Sequence, residues 1–283
     1  MKKTFLLCSL LLFMTGCGVS TDPSTSNRDD STISSEVDPN ALKYVLSSAG
    51  SSYAVRANNK DTISGEIVIP DLYDNKPITA IDTTGFGDTK ITSITMPKYL
   101  MEISGGSFLA CSDLVSVTLN DEVVTIDSSA FNQCKSLKDI VFTEKITSIG
   151  NYGFFGCESL VNVVLPNKLA ELGSSAFSSC TSLKFVDLGD SLSMIQSSCF
   201  SSCEKLEAIK IPDKVTTISV FAFRSCAALS KVYYSGTIEK WNAIQIESFN
   251  DALLEATKYF YSENEPVEEG HYWHYVNDEI REW

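Results

Sequence analysis

The sequence has little of what a catalytic or nucleic-acid-binding protein needs. Its 283 residues include only two histidines, His271 and His274, and no Gly-x-Ser-x-Gly elbow, so the parts of a hydrolytic triad are missing. Lys and Arg number 22 against 36 Asp and Glu, which gives a net charge of −14. That charge repels phosphate backbones, and no basic stripe interleaved with aromatic residues offsets it. We therefore predict no catalytic residues, no cofactor and no nucleic-acid partner.

Spacings typical of metal ligands are also scarce. His271 precedes the alternating stretch Tyr272–Val276 and His274 lies within it, a pattern that fits a strand better than a metal site. Cys199 and Cys203 are the closest cysteines, but Cys199 takes a repeat position that is otherwise held by Ala. We predict no metal site.

The longest apolar run is too short to span a bilayer. It covers residues 5–14, follows two lysines, and leads into Met-Thr-Gly-Cys ending at Cys17. This pattern predicts a signal peptide over residues 1–16 and resembles a bacterial lipobox, in which the cysteine is lipidated. A lipid on Cys17 would hold the chain at a membrane face, so we expect an exported, lipid-anchored protein at the cell surface. A plainly secreted protein with an incidental Cys17 is the alternative.

Two different segments follow the predicted signal peptide. Residues 17–40 comprise Cys17 and a stretch rich in Ser, Thr and Asp, which predicts a flexible tether. From Leu42 two alternating runs flank Ala-Gly-Ser at 49–51, which predicts a β-hairpin. We assign residues 41–63 as an N-terminal β cap, because the end of a solenoid must be closed by a polar outer element.

The rest of the chain is dominated by one repeated pattern. Four columns recur every 23 residues over six units: a Phe, a Cys three residues later, a Leu three residues after that, and then Val or Ile. Such periodicity is typical of a solenoid, in which each unit buries its apolar side against its neighbours. The cysteines are Cys111, Cys134, Cys157, Cys180, Cys203 and Cys226, and the phenylalanines are Phe108, Phe131, Phe154, Phe177, Phe200 and Phe223.

Each unit contains a second apolar segment, in which Ile or Leu precedes the column Phe by five residues. We predict a short parallel strand at Leu-x-x-Val-x-Leu, and a turn of helix or 3₁₀ between the Ile and the Cys. The first unit is imperfect: Phe86 keeps its spacing to Ile81, but the unit is one residue shorter and lacks the Cys. The solenoid is assigned to residues 64–234.

The motif Cys-x-x-Leu-x-x-Val-x-Leu-Pro-x-x-x-x-x-Ile-x-x-x-Ala-Phe resembles the BspA-like, or treponemal-type, leucine-rich repeat. The resemblance covers residues 64–234, and residues 232–283 resemble the segment that closes many such proteins. It implies a leucine-rich-repeat solenoid and a bacterial surface protein. It also implies an adhesin-like role, since the founding members bind host extracellular proteins.

The cysteine column has two interpretations. Coils stack at about 4.8 Å, so neighbouring cysteines come within the Cα distance of a disulfide, and exported proteins retain disulfides. Alternatively, the thiols are reduced and fill the core as small apolar groups. The sequence leaves the choice open.

Outward positions of the repeat strands predict the ligand site. Side chains alternate along a strand, so the residues beside the inward Val and Leu point outward. In the middle of the array these positions carry apolar residues surrounded by charged ones, as in a protein-binding patch. Alternatively, these β-branched residues have no binding role and are present because they suit exposed strands. The candidate ligand-binding residues are Val141, Val164, Phe185, Asp139, Asn162, Asp187, Lys210 and Tyr233.

Residues 235–283 predict an α+β C-terminal cap. Thr237 and Asn250 are good N-caps for two short helices, and strands are predicted at Thr257–Tyr261 and His271–Val276. Because exposed aromatic rings bind sugar faces, glycan is a possible second ligand. The candidate rings are Tyr272, Trp273 and Trp283.

From these patterns we predict a non-catalytic cell-surface binding protein that recognises a protein ligand on the outward face of the repeat strands. An envelope or glycan-binding module acting through the aromatic cap is the alternative.

Overall fold

The computed structural model describes residues 41–283. The predicted signal peptide, the predicted lipidation site Cys17 and the predicted tether lie outside the described residues. The elements of residues 41–140 are β1 Leu42–Leu46, β2 Tyr53–Ala57, β3 Ser64–Val68, β4 Leu72–Tyr73, β5 Lys76–Ile81, β6 Lys90–Thr95, β7 Glu102–Ile103, β8 Ser116–Thr118, β9 Thr125–Ile126 and β10 Asp139–Ile140.

The remaining elements continue the same alternation and then change character at the C-terminal end. They are β11 Ser148–Ile149, β12 Asn162–Val164, β13 Glu171–Leu172, β14 Phe185–Asp187, β15 Met194–Ile195, β16 Ala208–Ile211, β17 Thr217–Ile218, β18 Lys231–Tyr234, α1 Ile238–Asn242, β19 Gln245–Ile246, α2 Asp251–Glu255, β20 Thr257–Tyr261, β21 Tyr272–Val276 and β22 Glu279–Glu282.

Parallel pairing at the repeat spacing builds the solenoid. Ser93 faces Ser116, and Ser116 faces Asp139, so each coil returns the chain to the same position one strand further along. One side of the coil carries the ladders β3-β6-β8-β10 and β12-β14-β16-β18, and the other carries β7-β9-β11-β13 and β15-β17-β19. The predicted leucine-rich-repeat solenoid is confirmed.

The phenylalanine column forms the centre of the core. Rings from Phe86 to Phe223 are fully buried and stack on their neighbours at centroid distances of 5.1 to 5.9 Å. Burying an aromatic side chain of this size contributes about 1.5–3 kcal/mol. No single coil can provide that burial, so each coil depends on its neighbours.

The side opposite the repeat strands contains tight turns closed by hydrogen bonds between residues three apart, as in the predicted 3₁₀ turn, and no α-helix within residues 41–234. Two-residue strands such as β9 are followed by turns, and each coil places two residues in the left-handed region, for example Ser129 and Gln133. Left-handed residues interrupt a helix. The N–H groups alternate: Phe108 N donates to Ala130 O of the next coil at 2.9 Å, whereas Leu109 N donates to Gly106 O in its own coil at 3.0 Å.

The cysteine column is reduced and has a hydrogen-bonding role. All seven cysteines within residues 41–283 are free and buried. Each column thiol donates to the carbonyl of a Phe in the preceding coil, at 2.9 Å for Cys111 to Phe86 and 3.1 Å for Cys226 to Phe200. Burial raises the pKa of Cys226 to about 12, so the thiol is a poor nucleophile.

The strand-side ladder is interrupted once within residues 41–283, between β10 and β12. In the regular pattern Leu165 N donates to Asp187 O at 2.9 Å. Two corresponding bonds of that step are missing in the described chain, from Phe142 N to Val164 O and from Val161 N to Lys138 O. The bond from Leu119 N to Val141 O is missing as well, at the end of the pairing between β8 and β10. We call these six backbone groups the ladder opening.

Two residues at the ladder opening depart from the repeat. Phe142 stands where the next coil has Leu165, and it is only half-buried, with its ring edge-on to Phe154 at 5.6 Å. Thr143 stands where that coil has Pro166, and its buried hydroxyl has no hydrogen-bond partner. These two departures and the ladder opening therefore lie side by side.

The two ends of the solenoid are built differently. At the N-terminal end the antiparallel hairpin of β1 and β2 pairs through β2 with β5. At the C-terminal end Thr237 caps α1, accepting from Lys240 N at 3.4 Å. Asn250 does not cap α2 as predicted, because its buried side chain accepts from Phe223 N at 3.0 Å and donates to Ser219 O. The side-chain oxygen of Asn250 thereby accepts the hydrogen bond that a backbone carbonyl would accept if another coil followed.

Candidate functional site

The strand face comprises the outward side chains of β6, β8, β10, β12, β14, β16 and β18. Its exposed part is apolar at the centre: the side chains of Val141 and Val164 are 63% and 48% exposed. Asp139 and Asn162 are exposed beside them, and Phe185 is half-buried. The structure therefore brings these five predicted ligand-binding residues together on adjacent strands.

The C-terminal hairpin of β21 and β22 lies across the other end of the strand face. Its base sits over β18, where Trp273 packs edge-on to Tyr233 at 6.1 Å and donates to Tyr234 O at 3.0 Å. Further along, the ring of Tyr275 lies 5.9 Å from Lys210 Nζ in β16. The hairpin is also joined to the strand-side sheet, because β21 pairs with β20.

Two predicted ligand-binding residues are covered by this hairpin. Lys210 is 2% exposed and Tyr233 is 8% exposed. Tyr233 donates its hydroxyl to Glu282 Oε1 at 2.6 Å, so its polar tip already has a partner. The alternation of side chains along the strands correctly predicted that Lys210 and Tyr233 point outward. It did not predict that the hairpin would cover them. They support the hairpin and are not accessible to a ligand.

Lys210 is the centre of a buried charge network. Its Nζ lies 2.9 Å from Asp187 Oδ1 and 3.2 Å from Asp190 Oδ1. Burial lowers the pKa of Lys210, but Asp187 and the other neighbouring oxygens outweigh it and raise that pKa above its ordinary value. Lys210 is therefore charged and paired, and Asp187 is held toward it at the border of the exposed patch.

The accessible remainder is a shallow site that we call the open floor. It consists of Asp139, Val141, Asn162 and Val164, bordered by Phe185 and Asp187. The ladder opening runs through it, since Val141 and Val164 each contribute an unpaired carbonyl.

Sequence reasoning missed β22 and the position of the hairpin. A signal was present: Asn277 and Asp278, with φ of 52° and 64°, form a two-residue turn between Tyr272–Val276 and Glu279–Glu282. Asn and Asp tolerate the left-handed conformations that tight hairpin turns require. The pattern shows the hairpin, but no local pattern shows that it folds over Lys210.

The aromatic residues of the C-terminal segment do not form one exposed platform. Trp273 is 1% exposed. The ring of Trp283 is tilted against that of His274 at a centroid distance of 3.8 Å. Trp283 and Tyr272 line an open groove whose other walls include Glu265, Glu268 and Glu269. Among residues 41–283, no group of three or more His, Cys, Asp or Glu side chains is placed to bind a metal ion.

Comparison with known proteins places the repeats in a family. The BspA type leucine rich repeat region matches residues 66–158 and 124–255. A leucine-rich repeat protein from Bacteroides ovatus ATCC 8483 is 26% identical with a TM-score of 0.62, over 71% of this chain and 55% of that one. The T. pallidum leucine-rich repeat protein is 28% identical with the same TM-score, over 69% of this chain and 90% of that one. The chain thus spans just over half of the Bacteroides protein.

No protein with a curated description matches the chain significantly. In the part of the chain that the structure describes, no helix has the length and apolar character to cross a membrane. Leucine-rich repeat proteins are in general non-catalytic modules that bind proteins, and the matches indicate no enzyme family. With two thirds of its length matched by the repeat region, the chain belongs to the BspA-type leucine-rich repeat proteins.

Proposed function

We propose that the protein is an adhesin-like binding protein of the cell surface whose open floor binds a protein ligand. The observation that carries this proposal is the adjacent exposure of Val141 and Val164 in the middle of the strand face. Apolar area at the centre with polar and charged side chains around it is the anatomy of a protein interface. The repeat family, whose members bind proteins, supports the same role.

The proposal is tested by binding of the purified protein to immobilised extracellular-matrix proteins. We expect Val141→Asp/Val164→Asp to abolish binding without loss of stability, because both side chains are exposed. Val68→Asp is the matched control, since Val68 is 56% exposed at the same repeat position in β3. If the two variants bind equally well, the open floor is not the binding site.

Display at the membrane is a second part of the proposal. The lipobox-like sequence ending at Cys17 supports attachment by a lipid on that residue. In a bacterial host, metabolically labelled fatty acid should be incorporated into the wild type and not into Cys17→Ser. Labelling of both proteins would contradict lipidation at Cys17.

A further inference from the structure

We propose that the free edge of β3, at the N-terminal end of the strand face, is a docking site for residues 31–37 of the same chain, which add to it as an antiparallel strand. Residues 31–37 lie outside the described residues, and the edge that receives them lies within. This inference is independent of the open floor and of the ligand proposed for it.

The terminal strand of the ladder β3-β6-β8-β10 is β3. Val68 is in register with Thr95, and Ile69 N donates to Thr95 O at 3.1 Å. Because successive residues of a strand direct their N–H and C=O groups to opposite sides, Ile67 and Ile69 face β6, whereas Glu66 and Val68 face away from it. Within residues 41–283 no other strand pairs with β3, so the N–H and C=O groups of Glu66 and Val68 form a free edge.

The free edge borders a position that is one strand wide. Ala57 N donates to Gly85 O at 3.0 Å, so the coil of β2 and β3 stacks on the coil of β5 and β6. On the opposite side of the molecule β1 pairs with β2 and lies one level further out. No strand of the described chain lies beside β3 at that level. The N-terminal end of the solenoid is therefore one strand shorter on the strand side than on the opposite side.

The chain enters the described structure beside the start of β3. Ala41 O accepts from Asn58 N at 2.9 Å, and a turn over residues 59–63, closed by a backbone bond of 3.1 Å, then leads into β3. The three residues 38–40 span at most about 10 Å. Residue 37 can therefore reach the start of β3 but not its far end, a further ~13 Å away. A strand that ends at residue 37 must run antiparallel to β3.

The sequence of the segment suits a strand. Thr32-Ile-Ser-Ser-Glu-Val37 contains three β-branched residues and no Gly or Pro, and Asp38-Pro39 follows it. A free edge strand pairs readily with other chains unless it is covered. Residues 31–37 would cover this edge from within the same molecule, and the predicted tether of residues 17–40 would end at residue 30.

One register satisfies the whole edge. With Ile33 opposite the buried Ile67, the residues on either side of Ile33 lie opposite Glu66 and Val68. Such pairs of an antiparallel ladder exchange two hydrogen bonds each. All four backbone groups of Glu66 and Val68 that face away from β6 then gain a partner.

Amide hydrogen exchange of the purified full chain tests the proposal. We expect the amides of Glu66 and Val68 to exchange slowly in the wild type, and Ser34→Pro to speed both at least tenfold, because proline lacks the N–H that the ladder needs. Asn27→Pro lies outside the segment and should leave both amides as in the wild type. The amide of Ile67, which faces β6, should stay slow in all three proteins and reports that the coil is intact. Fast exchange of Glu66 and Val68 in the wild type overturns the inference, as does slow exchange that Ser34→Pro leaves unchanged.

A cysteine pair tests the register and the source of the strand. Opposite residues of a hydrogen-bonded antiparallel pair have Cα atoms about 5.5 Å apart, within the range of a disulfide. On mild oxidation Thr32→Cys/Val68→Cys should therefore form a disulfide within one molecule, identified by peptide mapping. Thr32→Cys/Val141→Cys should not, although Val141 holds the same repeat position as Val68. A disulfide between two molecules would assign the strand to a second copy and overturn the inference, and equal cross-linking of both variants would overturn it as well.

Discussion

The coils that contain β10 and β16 occupy equivalent positions in the repeat and have opposite environments. In β16, Ile209-Lys-Ile-Pro212 is paired on both sides and covered by the hairpin. In the coil of β10, Val141 of Ile140-Val-Phe-Thr143 is exposed, and the ladder to β12 is missing. The inward residues Ile140 and Ile209 are both buried, so the difference comes from the residues on either side of them.

This contrast teaches that a repeat fold has two independent ways to specialise one coil. An outward residue changes what lies on the strand face, as Lys210 attracts Asp187, Asp190 and Tyr275. A residue at the end of the strand marks a coil whose ladder is open, as Phe142 does in the coil of β10. The first coil is covered by the hairpin, and the second keeps backbone groups without a partner within residues 41–283.

Removing the main anchor of the hairpin should have the largest effect. Trp273→Ala should lower the free energy of unfolding by about 3–5 kcal/mol, because it empties a buried indole site and removes the bond to Tyr234 O. Thermal unfolding measures it. Trp283→Ala, at a half-exposed position, is the control and should cost less than half as much. Equal costs would show that the hairpin is not held by burial of Trp273.

Breaking the buried charge network of Lys210 should have the second largest effect on stability. Lys210→Ala leaves Asp187 without its partner and should cost about 3 kcal/mol, since a buried charge that loses its counter-ion is strongly destabilising. Lys145→Ala removes an exposed ion pair with Glu122 of 2.7 Å and should cost less than about 1 kcal/mol. Denaturant unfolding at neutral pH gives the free energy of unfolding of both variants. Similar losses would mean that the ion pair of Lys210 is no more stabilising than the exposed pair of Lys145.

Closing the ladder opening should give a smaller change of opposite sign. Phe142→Leu/Thr143→Pro should raise the free energy of unfolding by about 1–2 kcal/mol, because it removes an unpaired buried hydroxyl and restores backbone bonds. Amide hydrogen exchange gives the local readout. In the wild type the amide of Val161 should exchange faster than that of Lys184, and in the variant the two should be alike. Slow exchange of Val161 in the wild type would contradict the opening.

The repeat core could be predicted from the sequence because its signal is periodic. The Phe and Cys columns predict stacking at every coil, and Phe108 to Phe223 lie where the period places them. The reduced state of the cysteines could not be predicted, because it depends on the direction of each S–H toward a carbonyl one coil away. Spacing alone permits both the thiol and the disulfide.

The site was harder to predict because it depends on contacts between distant segments. Alternation placed Val141 and Val164 outward, and both are exposed. The same alternation pointed Lys210 and Tyr233 outward but did not show that residues 271–283 return to cover them. Departures from a repeat, such as Phe142 in a Leu column, are visible in the sequence and should be examined as candidate sites in their own right.

Acid should weaken the hairpin contact by the smallest amount. Glu282 accepts from Lys231 Nζ and from the Tyr233 hydroxyl, both at 2.6 Å, and Tyr259 faces the same carboxylate. Burial raises the pKa of Glu282, but the hydrogen bonds from Lys231 and Tyr233 outweigh it and hold that pKa below its ordinary 4.5. A depressed carboxyl pKa contributes stability that is present above pH 4.5 and is lost as pH falls through the folded-state value.

Glu282→Gln should therefore be less stable than the wild type at pH 7, and the difference should shrink below about pH 4.5 as the wild-type carboxylate takes up its proton. Neither Lys231 nor Tyr233 changes charge in that range, because the pKa values of both groups are raised. Solvent reaches a third of the Glu282 side chain, which screens the pair and keeps the effect small. Denaturant unfolding at pH 7 and pH 3.5 measures it. A difference that persists at pH 3.5 would place the acid sensitivity outside the hairpin and leave Glu282 with a packing role only.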